Sequence, residues 1–181
     1  MILWRFSRHE ALDGRGGLLA SGRWHTRGRE ILYCAPNPAT ALLEVLVHGA
    51  VRSPEAFGNF QFLKIEVPDS LAVERVEEGQ LPRDWMIRLD VTRARGDGWL
   101  REGRTAVLLV RSVLVPETYN ALINPRHEDA AQIRMLSAFR YPLDPRLFGL
   151  RPTGTERGGT RGDSSFGHRE CLRAAPSPHP N

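Results

Sequence analysis

The tightest local constraint on this chain is the run from Asn37-Pro38 to Gly49, which fixes a helix at both ends. Asn37 offers a side-chain oxygen to the first unpaired amides, Pro38 suits the first helical position because the amide it lacks has no partner there, and Gly49 suits a left-handed stop. The spacing predicts a helix from Pro38 to His48. At about 100° per residue, Ala39, Leu42, Leu43 and Leu46 share one face, which has to pack on a sheet or another helix. Glu44 lies off that stripe, flanked by Ala41, Val45 and Val47. A carboxylate in that company is at a cleft or unusually paired, or else it is a solvated surface charge with His48 as its helical neighbour.

The segment just before it, Ile31 to Ala35, sets Leu32 and Cys34 on one side and Ile31 and Tyr33 on the other, the pattern of a strand covered on both faces. Tyr33 is a core ring or stands at the edge of a cleft, and its phenol needs a partner if buried. Gly22 permits a turn beside Arg23 and Trp24, where the guanidinium serves either a cation–π pair or an anion. Arg23, Tyr33 and Glu44 thus fall on three successive elements, and a compact fold can bring all three to one cleft.

At 181 residues the chain suits one domain over residues 1–150 and a tail over residues 151–181, which is rich in Gly, Pro, Ser, Thr and Arg and nearly devoid of aliphatic residues. The tail is expected to be disordered. The formal net charge of +4 is carried almost wholly by arginine, since Lys64 is the one lysine, and the two signs are interspersed. That is not the charge stripe of a nucleic-acid binder. Cys34 and Cys171 supply neither a disulfide framework nor metal-ligand spacing. The N-terminus lacks an apolar signal core and no run approaches the length of a membrane helix, so a cytoplasmic protein is expected, with no membrane and no direct nucleic-acid contact.

Along the rest of the chain, Ile2 to Phe6 reads as a first strand in which Arg5 is structural, and residues 7–22, with Gly14, Gly16, Gly17 and Gly22, read as a mobile loop that could cover a pocket. A connector spans 51–59. Phe60 to Val67 alternates as a strand closed by Pro68, residues 69–83 read as surface chain, and Asp84 to Gly103 as short helical pieces interrupted at Gly96 and Gly98. Ala106 to Val110 is the best candidate for a central strand, with Arg111 and Ser112 at its exit. Ser112 is a ligand contact at a strand end or an ordinary backbone partner. Tyr119 to Ile123 reads as a further strand, Asn124-Pro125 as a turn that His127 could bond, and Ala130 to Met135 as a short helix. There is no internal repeat, GxxxxGK loop, GxSxG elbow or paired-cysteine zinc signature.

Four pieces in order, GRWHTRG, ILYCAPNPATALLEVLVH, AVLLVRSVLVP and NALINPRH, resemble the RES domain, the toxin half of RES/Xre-type bacterial toxin–antitoxin pairs, over roughly residues 2–148. Carried over position by position, the residues that name the family are Arg23, Glu44 and Ser112, with Tyr33 as its pocket tyrosine. Arg111 stands where the family commonly has proline, which could shift Ser112 or add a charge beside the pocket, and His25 stands where it commonly has asparagine. The resemblance implies a mixed α/β fold with a central mixed sheet, similar to ADP-ribosyltransferases. It also implies NAD⁺ as substrate with no metal, and an antitoxin partner, often with a helix-turn-helix domain.

The implied activity is hydrolysis or phosphorolysis of the nicotinamide–ribose bond, with Arg23, Tyr33, Glu44 and Ser112 holding NAD⁺. The alternatives are a protein ADP-ribosyltransferase on the same fold and a non-catalytic binding module.

Overall fold

The computed structural model describes residues 1–48 and 57–148. The predicted Gly49 stop, most of the 51–59 connector and the 151–181 tail lie outside them. Strand β1 (Ile2–Ser7), a one-turn helix α1 (Gly16–Leu19), β2 (Leu32–Cys34) and α2 (Pro38–His48) come first. They are followed by β3 (Gln61–Glu66), β4 (Val73–Arg75), α3 (Leu89–Glu102), β5 (Val107–Arg111), β6 (Tyr119–Ile123) and β7 (Arg134–Phe139). The class is the mixed α/β one expected. Its strands sort into two sheets, a mixed one in the order β2-β6-β5-β4 and an antiparallel one in the order β1-β3-β7, joined where Trp4 bridges Ala35. Among the described residues no helix is long and apolar enough to cross a membrane.

Alternation along the strands divides the core. Leu32, Cys34, Val107, Ala121 and Ile123 of the mixed sheet face Leu3, Leu63 and Ile65 of the other. The opposite residues, Leu108, Val110 and Leu122, pack under Trp24, Trp85 and Trp99. Both faces are therefore covered, as the apolar runs of β2 and β5 demand. Phe6 and Phe62, on the outer face of the antiparallel sheet, pack with Ala41 of α2. Arg5 turns inward toward Cys34 and Asp13, and burial lowers its guanidinium pKa. The same burial pushes the Cys34 thiol up to about 12, which keeps it protonated and inert.

Helix α2 has the predicted bounds, and Asn37 Oδ1 accepts from the Thr40 amide at 2.8 Å, a cap worth about 1 kcal/mol. Its buried side differs from the expected stripe. Thr40 and Ala41 are buried and Leu42, Val45 and Leu46 pack beside them, whereas Ala39, Leu43 and Val47 are exposed. A helix that is apolar nearly all round does not encode its own rotation.

Four further expectations are corrected. Residues 84–103 do not break at Gly96 and Gly98: α3 runs unbroken through both and stops at Gly103, whose φ of 57° gives the left-handed cap. Within 69–83 lies β4, parallel to β5, and α3 is the crossover that a parallel pair requires. The helix expected over 130–135 is a 3₁₀ turn at Glu128–Gln132 followed by β7, the edge partner of β3. His127 accepts the Asp129 amide at its head. Residues 7–22 contain α1 and are anchored: Gly14 turns at φ 67°, and a Cβ on Gly17 would lie 2.2 Å from the Arg29 carbonyl oxygen.

Candidate active site

Register brings the site together. Tyr33 pairs with Leu122 and Leu122 with Leu108, so the next row on that face carries Asn120 opposite Val110. Ser112 follows Val110 by two residues and keeps the same face, its amide donating to the Thr118 carbonyl. Helix α2 brings Glu44 over this end of the sheet, where its Oε1 accepts from Ser112 Oγ at 2.9 Å and from Asn120 Nδ2 at 2.6 Å. Glu44 is a half-buried, paired carboxylate and not a solvated surface charge.

Ser112 is 1% exposed. Its hydroxyl donates to Glu44 and accepts the amides of Leu114 and Val115 at 3.2 and 3.3 Å, so its bonding capacity is filled from within the protein. It orients the carboxylate. Asn120 does the same from the neighbouring strand and was not singled out in the sequence. Its signal was there only in the pairing of β5 with β6, which a single chain does not display.

Arg23 sits on a loop that α3 holds at several consecutive points. Thr92 Oγ1 donates to the Arg23 carbonyl at 2.7 Å, Arg93 Nε to the Gly22 carbonyl at 2.9 Å, and Asp97 accepts both the amide and the hydroxyl of Thr26. Asp97 also pairs with Arg29 at 2.9 Å. The Arg23 guanidinium donates to the Met86 carbonyl at 2.8 Å. Its pKa is lowered, chiefly by burial, while Glu44 and Tyr33 oppose that shift, which places all three groups in one electrostatic neighbourhood.

Tyr33 and His25 form the floor of this loop. The Ala20 carbonyl can only accept, so His25 carries its proton on Nε2 and donates there at 3.1 Å, leaving Nδ1 to accept from the Tyr33 hydroxyl at 2.8 Å and from the Gly22 amide at 3.2 Å. The Tyr33 oxygen in turn accepts the Trp24 amide at 3.1 Å. Burial lowers the His25 pKa and raises that of Tyr33, so both stay neutral. His25 is thus a core residue that braces Tyr33.

Arg111 does not add its charge beside Ser112. It follows Leu109 onto the opposite face, where it donates to the Pro116 carbonyl at 2.9 Å and lies over the Tyr119 ring with Arg75. Two hollows, of about 390 and 230 Å³, also open elsewhere, one lined by Leu71, Arg75 and Leu109 and the other by Leu32, His127 and Ile133. Neither touches Arg23, Tyr33, Glu44 or Ser112. The convergence of side chains, and not the size of a hollow, marks the candidate site. Among the described residues no three His, Cys, Asp or Glu side chains are grouped to hold a metal.

The fold defines a mixed α/β domain of the kind found in the crystal structure of the M. tuberculosis MbcT–MbcA toxin–antitoxin complex. A chain of that complex superposes with a TM-score of 0.61 at 18% identity, over 82% of this chain and 86% of its own length. The RES domain family model matches residues 2–144, and this chain belongs to that family. It is 41% identical to the "Toxin Res" of Pseudomonas putida over 82% of its own length and all of the relative's. It is also 39% identical to the "Prs ADP-ribosylating toxin" of a Sphingobium strain, over 75% of this chain and 86% of that one.

Proposed function

We propose that this chain is the toxin of a toxin–antitoxin pair and that it acts by cleaving the nicotinamide–ribose bond of NAD⁺. The observation that carries the reading is the fixed carboxylate of Glu44, held by Ser112 and Asn120 within the field of the Arg23 guanidinium. Loss of nicotinamide builds positive charge on the ribose, and an oriented carboxylate facing that carbon stabilises the transition state more than the bound dinucleotide. Arg23 supplies a planar fork for the diphosphate, which a lysine would not match. The Tyr33 hydroxyl is already engaged, so its contribution to NAD⁺ is through the ring face. Ser112 and Asn120 are positioning residues for Glu44.

The names of the relatives support a toxin neutralised by a partner, and an antitoxin with a helix-turn-helix domain is the partner expected. A toxin that consumes NAD⁺ is expected to act in the cytoplasm. Transfer of ADP-ribose to a protein is the second reading, favoured by the Sphingobium relative's name. Mass spectrometry of NAD⁺ incubated with the purified chain, with and without phosphate, separates these. ADP-ribose signals hydrolysis, a phosphorylated ADP-ribose signals phosphorolysis, and intact NAD⁺ in both, with label appearing on protein only when a cell extract is added, signals transfer. Intact NAD⁺ and unlabelled protein throughout would reject both readings.

A further inference from the structure

Several arginines of this domain are neutralised where they stand. Arg88 pairs with Asp90, Arg95 and Arg104 with Glu74, and Arg126 with Glu30. Arg23 and Arg93 differ. Among the described residues, the one polar contact of each is a neutral carbonyl, Met86 for Arg23 and Gly22 for Arg93. Both side chains are half-buried. Arg93 belongs to α3, next to Thr92, which bonds the Arg23 carbonyl, so the backbone bonds that hold the loop also hold the two guanidinium-bearing residues in register. Each acts on Tyr33, and Arg93 further disfavours the charge on Arg23. Two like charges in a partly desolvated setting, with Glu44 acting on Arg23 only through space and no carboxylate bonded to either among the described residues, cost free energy that an anion would recover.

We propose that Arg93 is a second anion-binding residue of this site, and that Arg23 and Arg93 together hold the two phosphates of a dinucleotide diphosphate. The inference rests on the NAD⁺ reading and extends it to a residue outside the set that names the family. Using Nε on the Gly22 carbonyl leaves the terminal nitrogens of Arg93 to bond one phosphate. Arg23, with Nη1 on Met86, addresses the other. A diphosphate carries one negative charge on each phosphate, so two separate guanidiniums match it better than one.

Calorimetry of ADP-ribose binding to the full chain tests this, with Glu44→Gln as the parent so that turnover does not intervene. Arg93→Gln on that parent should weaken ADP-ribose at least tenfold, and Arg93→Lys should recover part of the loss because it restores the charge without the fork. Inorganic pyrophosphate should displace ADP-ribose from the parent, and much less effectively from Arg93→Gln. Unchanged ADP-ribose affinity in Arg93→Gln overturns the inference and leaves the NAD⁺ reading intact. Equal losses in the glutamine and lysine variants assign Arg93 to stapling the loop at Gly22 and also overturn it. A parent that binds neither ADP-ribose nor NAD⁺ overturns both. Should Arg93→Gln fail to fold, Arg93→Lys carries the test alone: a several-fold loss for ADP-ribose with an unchanged melting temperature supports a phosphate contact, and unchanged affinity counts against it.

Discussion

Asn120 Nδ2 lies 2.6 Å from Glu44 Oε1, so a strand that contributes no residue to the family's name fixes the orientation of the carboxylate to which the chemistry is assigned in our proposal. Asn120→Ala should lower the rate of NAD⁺ cleavage by about tenfold or more, with a smaller effect on binding, because the loss falls on an oriented group. Asn120→Asp sets a second carboxylate against Glu44 and should do worse. Steady-state kinetics on the two variants check this, and equal wild-type rates would remove Asn120 from the account.

Gly96 faces the Trp24 carbonyl, where a Cβ would sit 1.8 Å from the oxygen. Backbone cannot yield cheaply, so Gly96→Ala should force α3 and the Arg23 loop apart at about 1–3 kcal/mol, lowering the melting temperature by roughly 3–10 °C. Thermal denaturation followed by circular dichroism reads it. Gly98→Ala is the control: its nearest contacts are the ends of Arg101 and Glu102 side chains, and a helical alanine should be neutral or mildly stabilising.

The His25 ring gives a pH dependence. Its folded pKa is below the ordinary value of 6.5, so the unfolded chain binds the proton more readily. This contribution to stability is complete above about pH 6.5 and is lost as pH falls through the window between that value and the lower folded one. The melting temperature should drop over that window in the wild type, and the drop should shrink in His25→Asn, which cannot titrate. Identical profiles for the two proteins would contradict the neutral assignment.

The Tyr33 hydroxyl is bonded within the fold, which leaves the ring for the role we propose. Tyr33→Phe strands the Trp24 amide, at about 1–3 kcal/mol for a donor left buried and unpaired, and leaves His25 Nδ1 with the Gly22 amide alone, yet keeps the ring. It should melt lower than wild type while retaining more activity than Tyr33→Ala when assayed well below both melting points. A Tyr33→Phe protein as inactive as Tyr33→Ala would shift the phenol into the chemistry.

What the sequence disclosed follows the range of the forces involved. The bounds of α2 were legible because Asn37 and Pro38 act on their own helix, and β5 because Val107 to Val110 is apolar on both faces. Helix α3 was misread because Gly96 is a helix breaker by local rules and a close-packing residue by tertiary ones. Strands β4 and β7 are edge strands, the first of three residues, and neither shows clean alternation. Arg23, Tyr33, Glu44 and Ser112 were picked out from the chain, but Asn120 and Arg93 join them only through strand register and the docking of α3. The opposite facing of Arg111 and Ser112 could have been read from the period of two along β5.

The most direct test is release of nicotinamide from NAD⁺ by the purified wild-type chain and by Glu44→Gln, compared at equal concentration and equal folded fraction. The account predicts release by the wild type and a rate at least about a hundredfold lower in the variant. Equal rates in the two proteins, or no release and no protein labelling by the wild type, would contradict it.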